Sequence, residues 1–228
     1  MRHVGLKARM AAVGSILFGF YMLLAIVAVE GFGAPIPLVL LGTVLFAGFQ
    51  YKFGKWAALR SAGADEMSED RYPDVHRSVE RLCGEMDLAK PDLKVAEMGV
   101  PNAFAVGRRG AGVVVVSTEL MHLLSHEELE AVLAHELAHI DNRDVVTSRY
   151  REYVADDDAA RHVGGDAMAD ALRKISSAGK RTDAELDDNV SALCIFGGER
   201  SALERLFATH PPIEKRVEAV RNVEREYY

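Results

Sequence analysis

The stretch AVLAHELAHIDNRDVV, Ala131 to Val146, decides how the rest of the chain is read. It places His135 and His139 four residues apart, with Glu136 between them and an acidic and amide-rich segment after them. On a helix, residues at this spacing share one face about 6 Å apart along the axis, so two imidazoles can point at a single ion. Val132, Leu133, Leu137 and Ala138 give that helix an apolar body, as burial requires. Its start is marked by Ser125, with Glu128 three residues on as a capping box and Leu124 and Leu129 spaced as a hydrophobic staple. Zinc accepts imidazole nitrogens at about 2.0–2.1 Å and in reactive sites takes three protein ligands. Glu136, turned about 100° around the helix from His135, stands where a carboxylate can accept and return a proton. The plainer reading is a helix that happens to carry two histidines, and the pattern alone does not name a third ligand.

Upstream of the motif, apolar residues Val75, Val79, Leu82 and Met86 recur at helical spacing between Tyr72 and Leu88. The runs LKVAEM, NAFAVG and GVVVVS are β-prone and separated by Val100-Pro101 and by Gly107 to Gly112, which predicts a small antiparallel meander. An exposed edge of such a sheet can hold an extended peptide through main-chain hydrogen bonds. Asn102 is a candidate for substrate binding beside that edge, although Pro-Asn is first a turn pair. Helical pattern returns at Ala167 to Ile175 and Pro212 to Val223, so the expected class is α+β, mostly helical. His210, before two prolines, is a candidate auxiliary residue that hydrogen-bonds an oxyanion or caps a metal; His122, His126 and His162 are weaker candidates.

The N-terminal quarter has another character. Met10 to Val29 carries no charge, and Gly31 to Tyr51 is a second uncharged run. At about 1.5 Å per residue each can cross a hydrocarbon layer of roughly 30 Å, which predicts a transmembrane hairpin with helices near 10–29 and 34–51. Arg2, Lys7 and Arg9 lie before the first run and Lys52, Lys55 and Arg60 after the second. The positive-inside rule then puts both outer ends, and everything after them, in the cytoplasm. The expected layout is a hairpin over 1–54, a polar linker over 55–71 and a metal-bearing domain over 72–228. Cys83 and Cys194 have no C-x-x-C spacing and suit a reducing compartment. A net charge of -7 without a basic stripe argues against a nucleic-acid partner.

Four segments in order, PNAFAVGR, ELEAVLAHELAHIDNRDVV, REYVADDDAA and LFATHPPIEKRV, together with the N-terminal hairpin, resemble the HtpX-like membrane-bound zinc metallopeptidases related to the CAAX-prenyl proteases. The resemblance implies a gluzincin-like domain holding one zinc per chain, with Glu136 as the catalytic base. It also implies proteolysis of misfolded or damaged membrane proteins at the cytoplasmic face of the cell membrane. It assigns the third zinc ligand to Glu152 of the R-E-x-x-A-D element. Asp156, four residues on, is then placed to orient a ligand histidine through its other nitrogen.

In one respect the chain departs from that family, whose members carry a second membrane hairpin between the two ligand helices. Here only Ile140 to Arg151 separate them. A straight helix would put Glu152 about 20 Å beyond His139. The chain must therefore reverse, and no Gly or Pro between Ser125 and Val163 enforces it. Asp141, Asn142 and Asp144 are tolerable turn residues, and Asp144, Asp156 and His210 stand as substitute ligands. If the reversal fails, the alternative is a non-catalytic, membrane-anchored binder of unfolded chains with a dismantled zinc site.

Overall fold

The computed structural model describes residues 15–16, 18–142, 149–179 and 211–227. The chain divides into two compact units, Met1–Ala57 and Ala58–Tyr228.

In the first unit, helix α1 (Phe18–Gly31) ends in a π-helical turn over Val27–Gly31. Gly33 adopts φ 66° and donates to Val29 O at 3.0 Å, a left-handed exit that suits glycine. Helix α2 (Ile36–Ser61) follows, and the Tyr21 hydroxyl donates across to Gln50 Oε1 at 2.9 Å. α2 has no buried residue, and Leu38, Leu41, Val44, Leu45 and Phe49 are all exposed. A soluble helix hides such side chains, because each costs about 1.5–3 kcal/mol to leave in water. Among the described residues α2 alone is long and apolar enough to cross a membrane; α1, as far as it is described, is shorter. The first of the two expected spans is thus met only by this shorter helix, and its beginning lies outside the described residues. α2 also runs ten residues beyond its expected end at Tyr51. Lys52, Lys55 and Arg60 end the apolar run, but they are good helix formers, and the helix stops only before Gly63 at φ 61°.

The second unit is built on a four-stranded sheet of β1 (Asp65–Glu66), β2 (Asp92–Ala96), β3 (Ala103–Val106) and β4 (Val113–Ser117), in the order β1-β2-β4-β3. β1 comes from the stretch expected to be a polar linker: Asp65 and Glu66 pair with Val95 and Lys94, and Met67 enters the core. The sheet is mixed, which corrects the expected antiparallel meander. β3 returns to β4 as a hairpin, while β2 lies on the other side of β4 and parallel to it. All five residues of VVVVS are buried, and a strand apolar on both faces needs a neighbour on each side as well as layers above and below. Val113 and Val115 join Phe104 and Ala62 in a small cluster on one face. Val114 and Val116 face the main core with Leu133 and Leu137.

The helices of this unit are α3 (Pro73–Glu85), α4 (Thr118–Leu123), α5 (His126–Asp141), α6 (Arg149–His162), α7 (Gly165–Gly179) and α8 (Ile213–Tyr227). α3 buries Val75, Val79, Leu82 and Cys83, the expected face. The predicted capping box is present at α5: Ser125 Oγ accepts from Glu128 N, and Glu128 Oε2 accepts from Ser125 N at 2.8 Å. Mostly helical with a small mixed sheet, the unit sets α5 through the middle of its core.

Candidate metal centre

α5 carries the opening motif where the sequence puts it. His135 and Glu136 are buried and His139 is partly so. The two imidazole rings stand nearly perpendicular, at 86°, with their Nε2 atoms 3.1 Å apart.

α5 ends at Asp141, and Asn142 closes it by donating both its backbone N–H, at 3.0 Å, and its side-chain Nδ2, at 2.9 Å, to Ala138 O. α6, beginning at Arg149, packs back along α5. Glu152 Oε2 then lies 3.7 Å from His135 Nε2, and its Oε1 lies 3.7 Å from His139 Nε2. Among the described residues, His135, His139 and Glu152 form a group of donors close enough to share one ion. The reversal that the sequence demanded but did not enforce is made, and the dismantled-site alternative loses its premise.

The three separations of 3.1, 3.7 and 3.7 Å can be tested against a metal. Bonds of about 2.0–2.1 Å in a tetrahedron put neighbouring donors about 3.3–3.4 Å apart, within a few tenths of an ångström of each edge. Charge points the same way: Arg216 stands among the carboxylates of Asp156, Glu152 and Glu136, an acidic surround that favours a cation at the donor triangle.

The second layer is equally specific. Asp156 Oδ1 lies 3.0 Å from His135 Nδ1, leaving Nε2 to face Glu152. Burial works against a charged His135, but the adjacent carboxylates of Asp156 and Glu152 outweigh it and push the imidazole up to about 9. Burial would raise Asp156 too, yet the Arg216 charge and its hydrogen bond hold the carboxyl below its usual range. The run Asp156-Asp157-Asp158, readable as one solvated acidic face, has three fates. Asp156 turns inward, Asp157 pairs with Arg161 at 2.9 Å on the outside, and Asp158 lies 3.5 Å from the Asn142 cap.

Arg216 is the residue that sequence reasoning missed. It is completely buried on α8, where Nε and Nη2 donate to the two oxygens of Asp156 at 2.8 and 2.7 Å, and Nη1 lies 3.6 Å from Glu152 Oε2. A signal for it existed. Ile213, Val217 and Val220 form the inward stripe of α8, and Arg216 sits within it at i+3 from Ile213, where a guanidinium is stable only with a buried anion.

The other candidates divide. Asn102 is buried, but its backbone exchanges hydrogen bonds with Ser117: its N–H donates to Ser117 Oγ at 2.9 Å, and its carbonyl accepts from Ser117 N at 2.8 Å. This anchors the β2–β3 connection to the end of β4. His122 and His126 are exposed, and His162 lies 3.4 Å from Glu85; none of them belongs to the donor group. Asp144 and His210 lie outside the described residues.

The sequence profile described as peptidase family M48 matches residues 69–148 and 145–224. A protease HtpX homolog of Halobacterium salinarum is 42% identical over 289 positions, covering 93% of this chain and 100% of that protein. A protease HtpX homolog 2 of Methanosarcina mazei is 31% identical, covering 99% of this chain and 97% of that protein. Among solved structures, Ste24p of S. mikatae superposes with a TM-score of 0.57 at 12% identity, over 95% of this chain and 66% of that one, a likeness of fold. This chain thus spans slightly less than two thirds of the Ste24p chain. The Halobacterium alignment is longer than the 228 residues here, and the family match breaks where its two stretches meet, at 145–148 between α5 and α6. Matched over most of its length by the family profile and by relatives above 30% identity, the chain belongs to peptidase family M48.

Proposed function

We propose that this chain is a zinc-dependent endopeptidase, anchored by its N-terminal apolar hairpin with the second unit on the cytoplasmic side, that cleaves misfolded or damaged membrane proteins. The observation that carries the reading is the donor triangle of His135, His139 and Glu152, with Glu136 buried one residue from the first ligand. Names of relatives that include the word protease support hydrolysis of polypeptides, and the exposed apolar surface of α2 supports the membrane.

His135, His139 and Glu152 would hold the ion. When bound, zinc polarises a scissile carbonyl and lowers the pKa of an attacking water. Glu136 would accept a proton from an attacking water and return it to the leaving amine. Asp156 Oδ1, 3.0 Å from His135 Nδ1, favours a proton on that nitrogen and so the tautomer that leaves Nε2 free for the ion. Among the described residues β3 is an outer strand of the sheet and packs beside α5, so its outer edge can align an extended substrate beside the helix that carries Glu136. Asn102, immediately before β3, holds the entrance of that edge in place. A segment already unfolded meets such an edge without first having to be unwound.

The test is metal content. The wild-type chain should carry one zinc, and Glu152→Gln should lose most of it while its helical content stays unchanged. Full retention of zinc in that variant would remove Glu152 from the ligand set.

A further inference from the structure

We propose that Arg216 is a positioning residue for the metal centre, holding Asp156 and Glu152 so that His135 and Glu152 converge on one divalent ion. The proposal rests on the zinc reading above and extends it to a helix that supplies no ligand.

Arg216 grips Asp156 with a two-pronged fork, one nitrogen to each carboxylate oxygen, at 2.8 and 2.7 Å. Such a fork fixes the plane of a carboxylate as well as its distance. Asp156 Oδ1 is shared between that fork and His135 Nδ1, so the guanidinium sets the ring angle of His135 through one intervening atom. The third nitrogen, 3.6 Å from Glu152 Oε2, addresses the oxygen that faces His135 Nε2. Arg216 therefore contacts both inward carboxylates of α6, Asp156 through the fork and Glu152 at the oxygen that faces His135.

A cation so close to a metal site would by itself repel the metal. Here its charge is balanced at hydrogen-bond distance by Asp156, so the pair presents little net field to the ion. Removing Arg216 would relieve little repulsion, yet it would free both carboxylates to turn. It would also leave Asp156, Glu152 and Glu136 without the guanidinium they share, an arrangement harder to keep folded without metal. The two roles have opposite signs: a repelling neighbour weakens metal binding, whereas a positioning residue strengthens it.

The experiment uses the full chain in detergent and measures zinc affinity by chelator competition and the absorption spectrum of the cobalt(II)-substituted protein. Arg216→Met should bind zinc about 10–100-fold more weakly, with a changed cobalt spectrum. Arg216→Lys should fall in between, since an ammonium keeps the charge but cannot grip both oxygens in one plane. In an Asp156→Asn background, Arg216→Met should add less than it does alone, because the two act through one contact. Wild-type zinc affinity and an unchanged cobalt spectrum in both Arg216 variants would overturn the proposal, as would tighter binding. Should Arg216→Met fail to fold, Arg216→Lys decides by the same readouts. A wild-type chain without stoichiometric zinc defeats the underlying reading, whereas a zinc-loaded wild type with indifferent variants defeats only the role of Arg216.

Discussion

Helices α5 and α6 contribute to the same group of donors and are made in opposite ways. α5 is specified by its own residues: a capping box at Ser125 and Glu128, an apolar body, and the Asn142 side chain on the Ala138 carbonyl at its end. α6, RYREYVADDDAARH, has four acidic residues and little apolar face. Its inward carboxylates are tolerated only because partners arrive from elsewhere: His135 from α5, Arg216 from α8, and Asn142 beside Asp158. Removing one partner of a buried ion pair costs about 3–5 kcal/mol, so α6 depends on the company it keeps. A metal centre can thus have one half that folds from local rules and another that exists only after assembly.

The largest expected effect tests the α5 half. Glu136→Gln should lower peptide turnover by about 10²–10⁴-fold while zinc stays at one per chain; turnover near wild type would take Glu136 out of the chemistry.

Next in size is the pH response that joins the halves. The folded pKa of His135 stands at about 9 against an ordinary 6.5. Its contribution to the stability of the zinc-free chain is therefore complete below pH 6.5 and is lost as pH rises through about 9. Thermal or urea unfolding in chelator should show a decline of up to about 3 kcal/mol across that window. Zinc competes with the same proton, so zinc affinity should rise over the same interval. A flat stability profile would mean that Asp156 and Glu152 do not hold a proton on His135.

A steric intrusion probes α6. Ala159 is fully buried and lies on the helical face of Glu152 and Asp156, seven and three residues before it. Ala159→Leu should destabilise the fold by about 1–3 kcal/mol and weaken zinc binding, because it displaces the helix that carries Glu152. The mildest change sharpens the contrast from the other side. Ser125→Ala should cost about 1 kcal/mol of unfolding free energy and leave zinc affinity as it was, since the cap is local to the first turn of α5.

Legibility followed the same division. The capping box, the apolar face of α3 and the pairing of His135 with His139 were readable because each depends on residues within one or two helical turns. The strand runs were readable as strands, but their order was not. An all-valine β4 announces that it is buried on both faces without saying which neighbour runs parallel to it. Arg216 went unread because a lone arginine in a helix is ordinarily solvated, and only the stripe formed by Ile213, Val217 and Val220 betrayed it.

By itself, the sequence determined a capped, apolar helix bearing two candidate ligands and a base, and an N-terminal apolar segment too water-averse for an exposed soluble helix. These follow from periodicity, capping and hydropathy, which act over a few residues. Only the tertiary structure decided that Glu152 meets the histidines, that Asp156 stands behind His135, and that Arg216 binds both carboxylates. Those contacts join residues 13 to 64 positions apart. They depend on where the chain turns back and on which charges must neutralise one another once water is excluded, and no local rule encodes either.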